Sequence, residues 1–165
     1  MFRNPYPTHF SGIERVKVRP DLVETHLFRF KDSKNHAYII RAEKYPHEVY
    51  AIKFHLKAHR LSAKKYSFFT KLNTSIRVLS TCLNVMVGLY RKNPLASFIV
   101  VGANSINEEE SNTKRFRLYS QILGSLFPPN KFKHDPQAEK SIYLMVNTSG
   151  LIKDDDLSNK IIRMI

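Results

Sequence analysis

Between Val49 and Leu72 the chain sets cations, histidines and a phenol at close spacing: Lys53, His55, Lys57, His59, Arg60, Lys64, Lys65, Tyr66 and Lys71. Such a set can neutralise phosphate while its rings stack on bases, which is the chemistry of nucleic-acid binding. The same side chains offer a base, an acid and a phosphate clamp. Metal-independent RNA cleavage by His55, His59, Arg60 and Tyr66 is therefore a second chemistry open to them. A third reading is purely structural: a solvated strand face whose lysine stems cover apolar surface. His55 and His59 lie four apart on an extended segment with no carboxylate near in sequence, so no metal site is expected. No Gly-rich phosphate loop, nucleophile elbow or H-E-x-x-H stretch occurs, and no cofactor is expected.

Charge gives this stretch its weight. The 165 residues carry 27 Lys+Arg against 14 Asp+Glu, a formal net charge of +13. Residues 1–73 hold 15 of those bases and 6 of the acids, and no acid at all occurs between Glu48 and Glu108. A field of this sign favours a polyanion or an acidic protein surface.

The elements that must position these residues follow from pattern. Thr25 to Lys31 and His36 to Lys44 read as two strands joined by the turn residues Asp32-Ser33-Lys34-Asn35. Glu48 to His59 is the clearest strand. Tyr50, Ile52, Phe54 and Leu56 alternate with Ala51, Lys53, His55 and Lys57, giving one apolar and one increasingly basic face. Residues 1–20, with Pro5, Pro7 and Pro20, read as a loosely packed arm, and Lys131 to Lys140 as a polar loop.

The centre of the chain is a helix over Thr74 to Lys92. Ile76, Leu79, Leu83, Met86 and Tyr90 form one apolar stripe, with Val78, Cys82, Val85 and Leu89 beside it. Arg77, Thr81, Asn84, Gly88 and Arg91 share the remaining narrow arc, so the helix is expected to be buried except for that strip. Asn93-Pro94 ends it. Phe98 to Val101 suits an interior strand. A second helix follows over Ser111 to Leu126, with Glu108 to Glu110 suiting its positive end. Ser141 to Asn147 is a last strand, and Asp154 to Asp156 cap a short C-terminal helix. The whole reads as one α+β domain over residues 1–165: a mostly antiparallel sheet of about five strands, a central buried helix and a second helix packed on one face. Cys82 is the lone cysteine, so no internal disulfide forms. No stretch is long and apolar enough for a membrane span or a signal peptide, and the protein is expected to be soluble and cytoplasmic.

Ser80-Thr81, Pro94, the apolar strand and then Arg117-Leu118-Tyr119 at a helix start resemble a pattern in small uncharacterised proteins of bacteria, their phages and mobile elements. It covers about Ile76 to Leu126, under a third of the chain. The resemblance implies an α+β architecture and a bacterial or phage setting, and it supplies no activity. Arg115 and Arg117 in that stretch are candidate contacts, or arginines that bond backbone carbonyls at a helix start. The expectation is a non-enzymatic module that meets nucleic acid or a nucleoprotein through Lys53, Lys57, His59, Arg60, Lys64, Lys65, Tyr66, Lys71, Arg115 and Arg117. Two alternatives stand beside it: an inhibitor that binds an acidic or phosphate-binding site of a host defence protein, and a small ribonuclease of toxin type.

Overall fold

The structure is a computed structural model that describes residues 4–16, 19–67, 72–103, 108–150 and 157–164. In chain order its elements are β1 (His9–Glu14), β2 (Glu24–Lys31), β3 (Ala37–Tyr45), β4 (Val49–Leu56), α1 (Leu72–Lys92), β5 (Ser97–Val101), α2 (Lys114–Leu126), β6 (Phe132–Gln137), β7 (Ile142–Asn147) and α3 (Leu157–Met164). The strands make one seven-stranded mixed sheet in the order β1-β2-β3-β4-β5-β7-β6. Every neighbouring pair is antiparallel except β4 and β5, which run parallel. The exception has a simple cause: α1 carries the chain back over the sheet between those two strands, and a parallel pair needs a crossover of that length.

The α+β architecture is as expected, while the expected sheet of about five strands is too small. The two further strands are the edges. β1 lies in the segment read as an arm, and it hides its period. Its pairing shifts between Phe10 and Gly12, and Gly12 takes φ +135°. β6 lies in the expected polar loop and contains Asp135 and Pro136. A proline is tolerated in a strand at a sheet edge, where its missing N–H is no loss.

Alternation along the strands builds two layers. One face presents Tyr38, Ile40, Tyr50, Ile52 and Phe98 to the buried side of α1 (Leu79, Cys82, Leu83, Met86) and of α2 (Phe116, Tyr119, Leu123). The opposite face carries Tyr45, Val49, Ala51, Ile99 and Leu144, covered by Leu22 and by Ile162 of α3. Helical cover is thus not confined to one face. The polar arc expected to leave α1 open stays open at Asn84 and Arg91, which are exposed, and is covered at Thr81. Thr81 is fully buried, and its hydroxyl accepts from the Tyr6 amide at 2.9 Å and donates to the Arg77 carbonyl at 2.8 Å. Arg77 stacks 3.8 Å from the centre of the Tyr6 ring and donates to the Asn4 carbonyl at 2.7 Å.

α2 starts at Lys114, with Thr113 as its cap. The Thr113 hydroxyl accepts from the Phe116 amide at 3.1 Å and donates to the Gly102 carbonyl at 2.6 Å. Glu108 precedes the helix yet still serves its positive end, accepting from the Lys114 amide at 3.1 Å. Asp154 to Asp156 lie outside the described residues. Among the described residues, no helix is long and apolar enough to cross a membrane.

Candidate nucleic-acid interface

The basic stretch does not stay on one strand. β4 ends at Leu56, and Lys57–His59 turns away as a 3-10 helix. Lys53 remains inside the sheet, in register with Arg41 and diagonal to Glu43, which pairs with Ala51. Its ammonium sits 2.6 Å from the Glu43 carboxylate, and its side chain is only 12% exposed. Glu43, 3% exposed, also accepts from Arg19 at 3.0 Å.

Two opposing forces act on this cluster. Burial raises the Glu43 pKa, but Lys53 and then Arg19 outweigh it and hold the carboxyl below its usual range. Burial lowers the Lys53 pKa, and Arg19 and Arg41 add to that, so the ammonium too falls below its ordinary value despite Glu43. The carboxylate gains from its cationic neighbours, whereas the three cations divide: burial works against Arg19 and Arg41, but Glu43 and Glu14 respectively outweigh it and hold them above the ordinary guanidinium value, and of the three Lys53 alone falls. Arg41 is held by Glu14 at 2.9 Å.

Above Lys53 the chain folds back in a second 3-10 helix, Lys65–Ser67. Tyr66 meets His55 edge to face, with ring centres 5.6 Å apart. Burial pushes the Tyr66 phenol up to about 12. His55 is 3% exposed, lies 2.9 Å from the Leu56 carbonyl through Nδ1, and burial lowers its pKa. Lys65 stacks 5.2 Å from the Tyr66 ring centre. Arg115 is buried, lies 4.8 Å from the Phe54 ring centre and donates to the Tyr66 carbonyl at 2.5 Å. Arg117 is exposed and donates to the Asn112 carbonyl at 2.6 Å. Both arginines therefore bond backbone carbonyls near the start of α2. Lys64 is exposed, and Lys71 lies outside the described residues.

Lys57, His59 and Arg60 come together, and with partners the sequence did not single out. They line a cavity of about 560 Å³ with His36, Ala37 and Leu56. Lys57 and Ala37 also border a second cavity of about 420 Å³, whose other walls include His9, Arg29, Phe30, Lys31 and Tyr38. The two adjoin at one end of the sheet, where β1 and β3 begin and β2 and β4 end. Neither lining contains a carboxylate. Among the described residues no ion pair engages Arg29, Lys31, Lys57 or Arg60.

The nearest acid in sequence, Asp32, is turned inward. It accepts from the amides of Lys34 at 2.9 Å and His36 at 2.8 Å, and from the His36 ring at 3.0 Å. Burial raises its pKa, but the bonds from His36 and Lys34 prevail and the net shift is downward.

The sequence held a partial signal for the missed residues. Arg29 and Lys31 alternate with the half-buried Phe28 and the buried Phe30, and the turn after Lys31 folds His36 back alongside. Only the pairing of β2 with β3 and of β3 with β4 brings them to Lys57. No family model, curated protein or solved structure matches the chain.

Proposed function

We propose that the chain is a nucleic-acid-binding module whose contact surface is the double groove where β2 and β4 end and β3 begins. The observation that supports this reading is a wall of four formal cations, Arg29, Lys31, Lys57 and Arg60, none held in an ion pair among the described residues and none faced by an acid. Cations in that state keep their full attraction for phosphate, because no carboxylate of the protein competes for them.

The groove also suggests how nucleic acid is held. Phe30 and Tyr38 are buried, so they do not present flat faces for bases to stack on. Binding is then led by the phosphate backbone and is largely independent of sequence. Affinity should fall steeply with salt, with a slope of about 0.9 per phosphate contacted on a duplex.

The test is affinity for duplex and single-stranded oligonucleotides at two salt concentrations, for wild type and for the combined Arg29→Glu, Lys57→Glu, Arg60→Glu variant. Wild type should bind, and the folded variant should lose affinity by roughly two orders of magnitude or more at low salt, since several phosphate contacts go at once. A folded variant that binds as well as wild type removes the groove from the mechanism. A wild type that binds no nucleic acid at low salt transfers the same cations to the alternative partner, an acidic protein surface.

A further inference from the structure

A third cavity, of about 190 Å³, is lined from both faces of β4, by Lys53 and by Phe54, and shares no lining residue with the groove. It sits where the parallel pair parts. β5 pairs with β4 only from Val49 to Ile52 and ends at Val101, while β4 runs on through Lys53 and Phe54. Arg19, Lys53 and Arg115 all line it, with Tyr66 and Val101 as further walls. Ligands favour the carboxyl ends of parallel strands in open sheets, and favour pockets in which a few polar groups converge on mostly apolar walls.

The charges around this cavity do not balance locally. Glu43 is the one acid within salt-bridge distance of Arg19 and Lys53 among the described residues. Its oxygens are already occupied: Oε1 takes Lys53 at 2.6 Å and Arg19 at 3.4 Å, and Oε2 takes Arg19 at 3.0 Å. Lys53 is depressed by burial and by its cationic neighbours even with Glu43 in place. Arg115 is fixed in position by its stack on Phe54 and its bond to the Tyr66 carbonyl, so its guanidinium needs no reordering to meet a ligand.

We propose that the cavity between Arg19, Lys53 and Arg115 binds a small oxyanion, a carboxylate or a phosphate monoester. Two guanidinium groups and an ammonium supply the charge-assisted donors that either anion accepts. The volume lies below the roughly 300–1,000 Å³ of cavities that enclose drug-sized ligands, so the occupant is a small metabolite or the acidic end of a larger one. A nucleic-acid strand does not fit there.

Calorimetric titration of the full chain with inorganic phosphate and, separately, with acetate tests this and tells the two anions apart. Wild type should show saturable binding of at least one probe at a single site. Val101→Phe, which fills the cavity without touching its charges, should weaken that binding at least tenfold. Lys57→Gln with Arg60→Gln, which disarms the groove, should leave it unchanged. If Val101→Phe does not fold, Arg115→Gln takes its place and must show the same loss. The proposal is overturned if wild type binds neither probe saturably, or if binding survives the cavity variant and disappears in the groove variant. Because the groove and the cavity are altered separately, failure of one reading leaves the other standing.

Discussion

The cluster around Glu43 and the groove around Lys57 come from one run of basic sequence, yet their cations are in opposite states. Lys53 is largely covered, paired and depressed, with its carboxylate partner 2.6 Å away. Lys57, four residues later, is exposed and sits in a wall that contains no acid. What separates them is the end of β4. Up to Leu56 the chain is bound into register with β3, which supplies Glu43; after it, the 3-10 turn leaves that register. Formal charge along a sequence therefore does not measure the charge available to a partner. The acids that decide availability come from the neighbouring strand.

The largest expected effect would come from breaking the buried side of this contrast. Glu43→Ala leaves the mostly buried Lys53 and the part-exposed Arg19 without their carboxylate, and should cost up to about 3–5 kcal/mol of stability, the upper figure being that of a fully buried pair. Lys57→Gln should stay within about 0.5 kcal/mol of wild type, as exposed substitutions usually do. Urea unfolding of the two variants decides it; equal midpoints would erase the distinction between the regions. Leu83→Ala or Met86→Ala, both fully buried on α1, sets the scale of an ordinary core loss at about 2–5 kcal/mol. If either melts like wild type, α1 is not the core helix.

Acid should act on the buried side as well. Glu43 and Asp32 titrate below their usual range in the folded chain. Their contribution to stability is thus complete above the ordinary carboxylate pKa of about 4 and drains away as pH falls through the depressed folded values. Stability measured from pH 7 down to pH 3 should decline at the acid end, and Glu43→Gln should flatten part of that decline. The smallest effect concerns salt. Lys57→Gln should reduce the salt slope of nucleic-acid binding by about one unit, while Lys53→Gln, in the folded protein, should leave it unchanged. A lower slope for Lys53→Gln would place Lys53 in the interface after all.

The elements legible in the sequence are those whose burial imposes a period. α1 shows its two stripes, and β4 alternates from Tyr50 to Phe54. β1 and β6 escape because an edge strand is buried on fewer sides. Gly12 interrupts the alternation in one, and Asp135 and Pro136 mimic a loop in the other. Thr81 escapes for a different reason. Its polarity suits an exposed arc, and only the arrival of Tyr6 from 75 residues away gives that hydroxyl a buried partner. The candidate site divides along the same line. Lys57, His59 and Arg60 fall within four residues and read together, whereas His9, Arg29, Lys31 and His36 join them through strand pairing, which leaves no local mark. Lys53 reads as a binding cation because the interval from Glu48 to Glu108 holds no acid, but Glu43 lies just outside that interval and next to Lys53 in space.

The four-residue parallel seam between β4 and β5 has a kinetic consequence. Strands β1 to β4 follow one another in both sequence and space, so that meander can assemble through short closures. β6 and β7 likewise form a local hairpin. Within the sheet the two halves pair only through the register from Val49–Ser97 to Ile52–Val100, which requires the whole of α1 to be looped back first. Closing a loop of that length costs entropy before any seam contact repays it. Refolding should therefore be limited by the meeting of the two halves at that seam. Until it forms, each half exposes an unpaired interior strand, and that interval is when the chain is most open to pairing with another copy of itself.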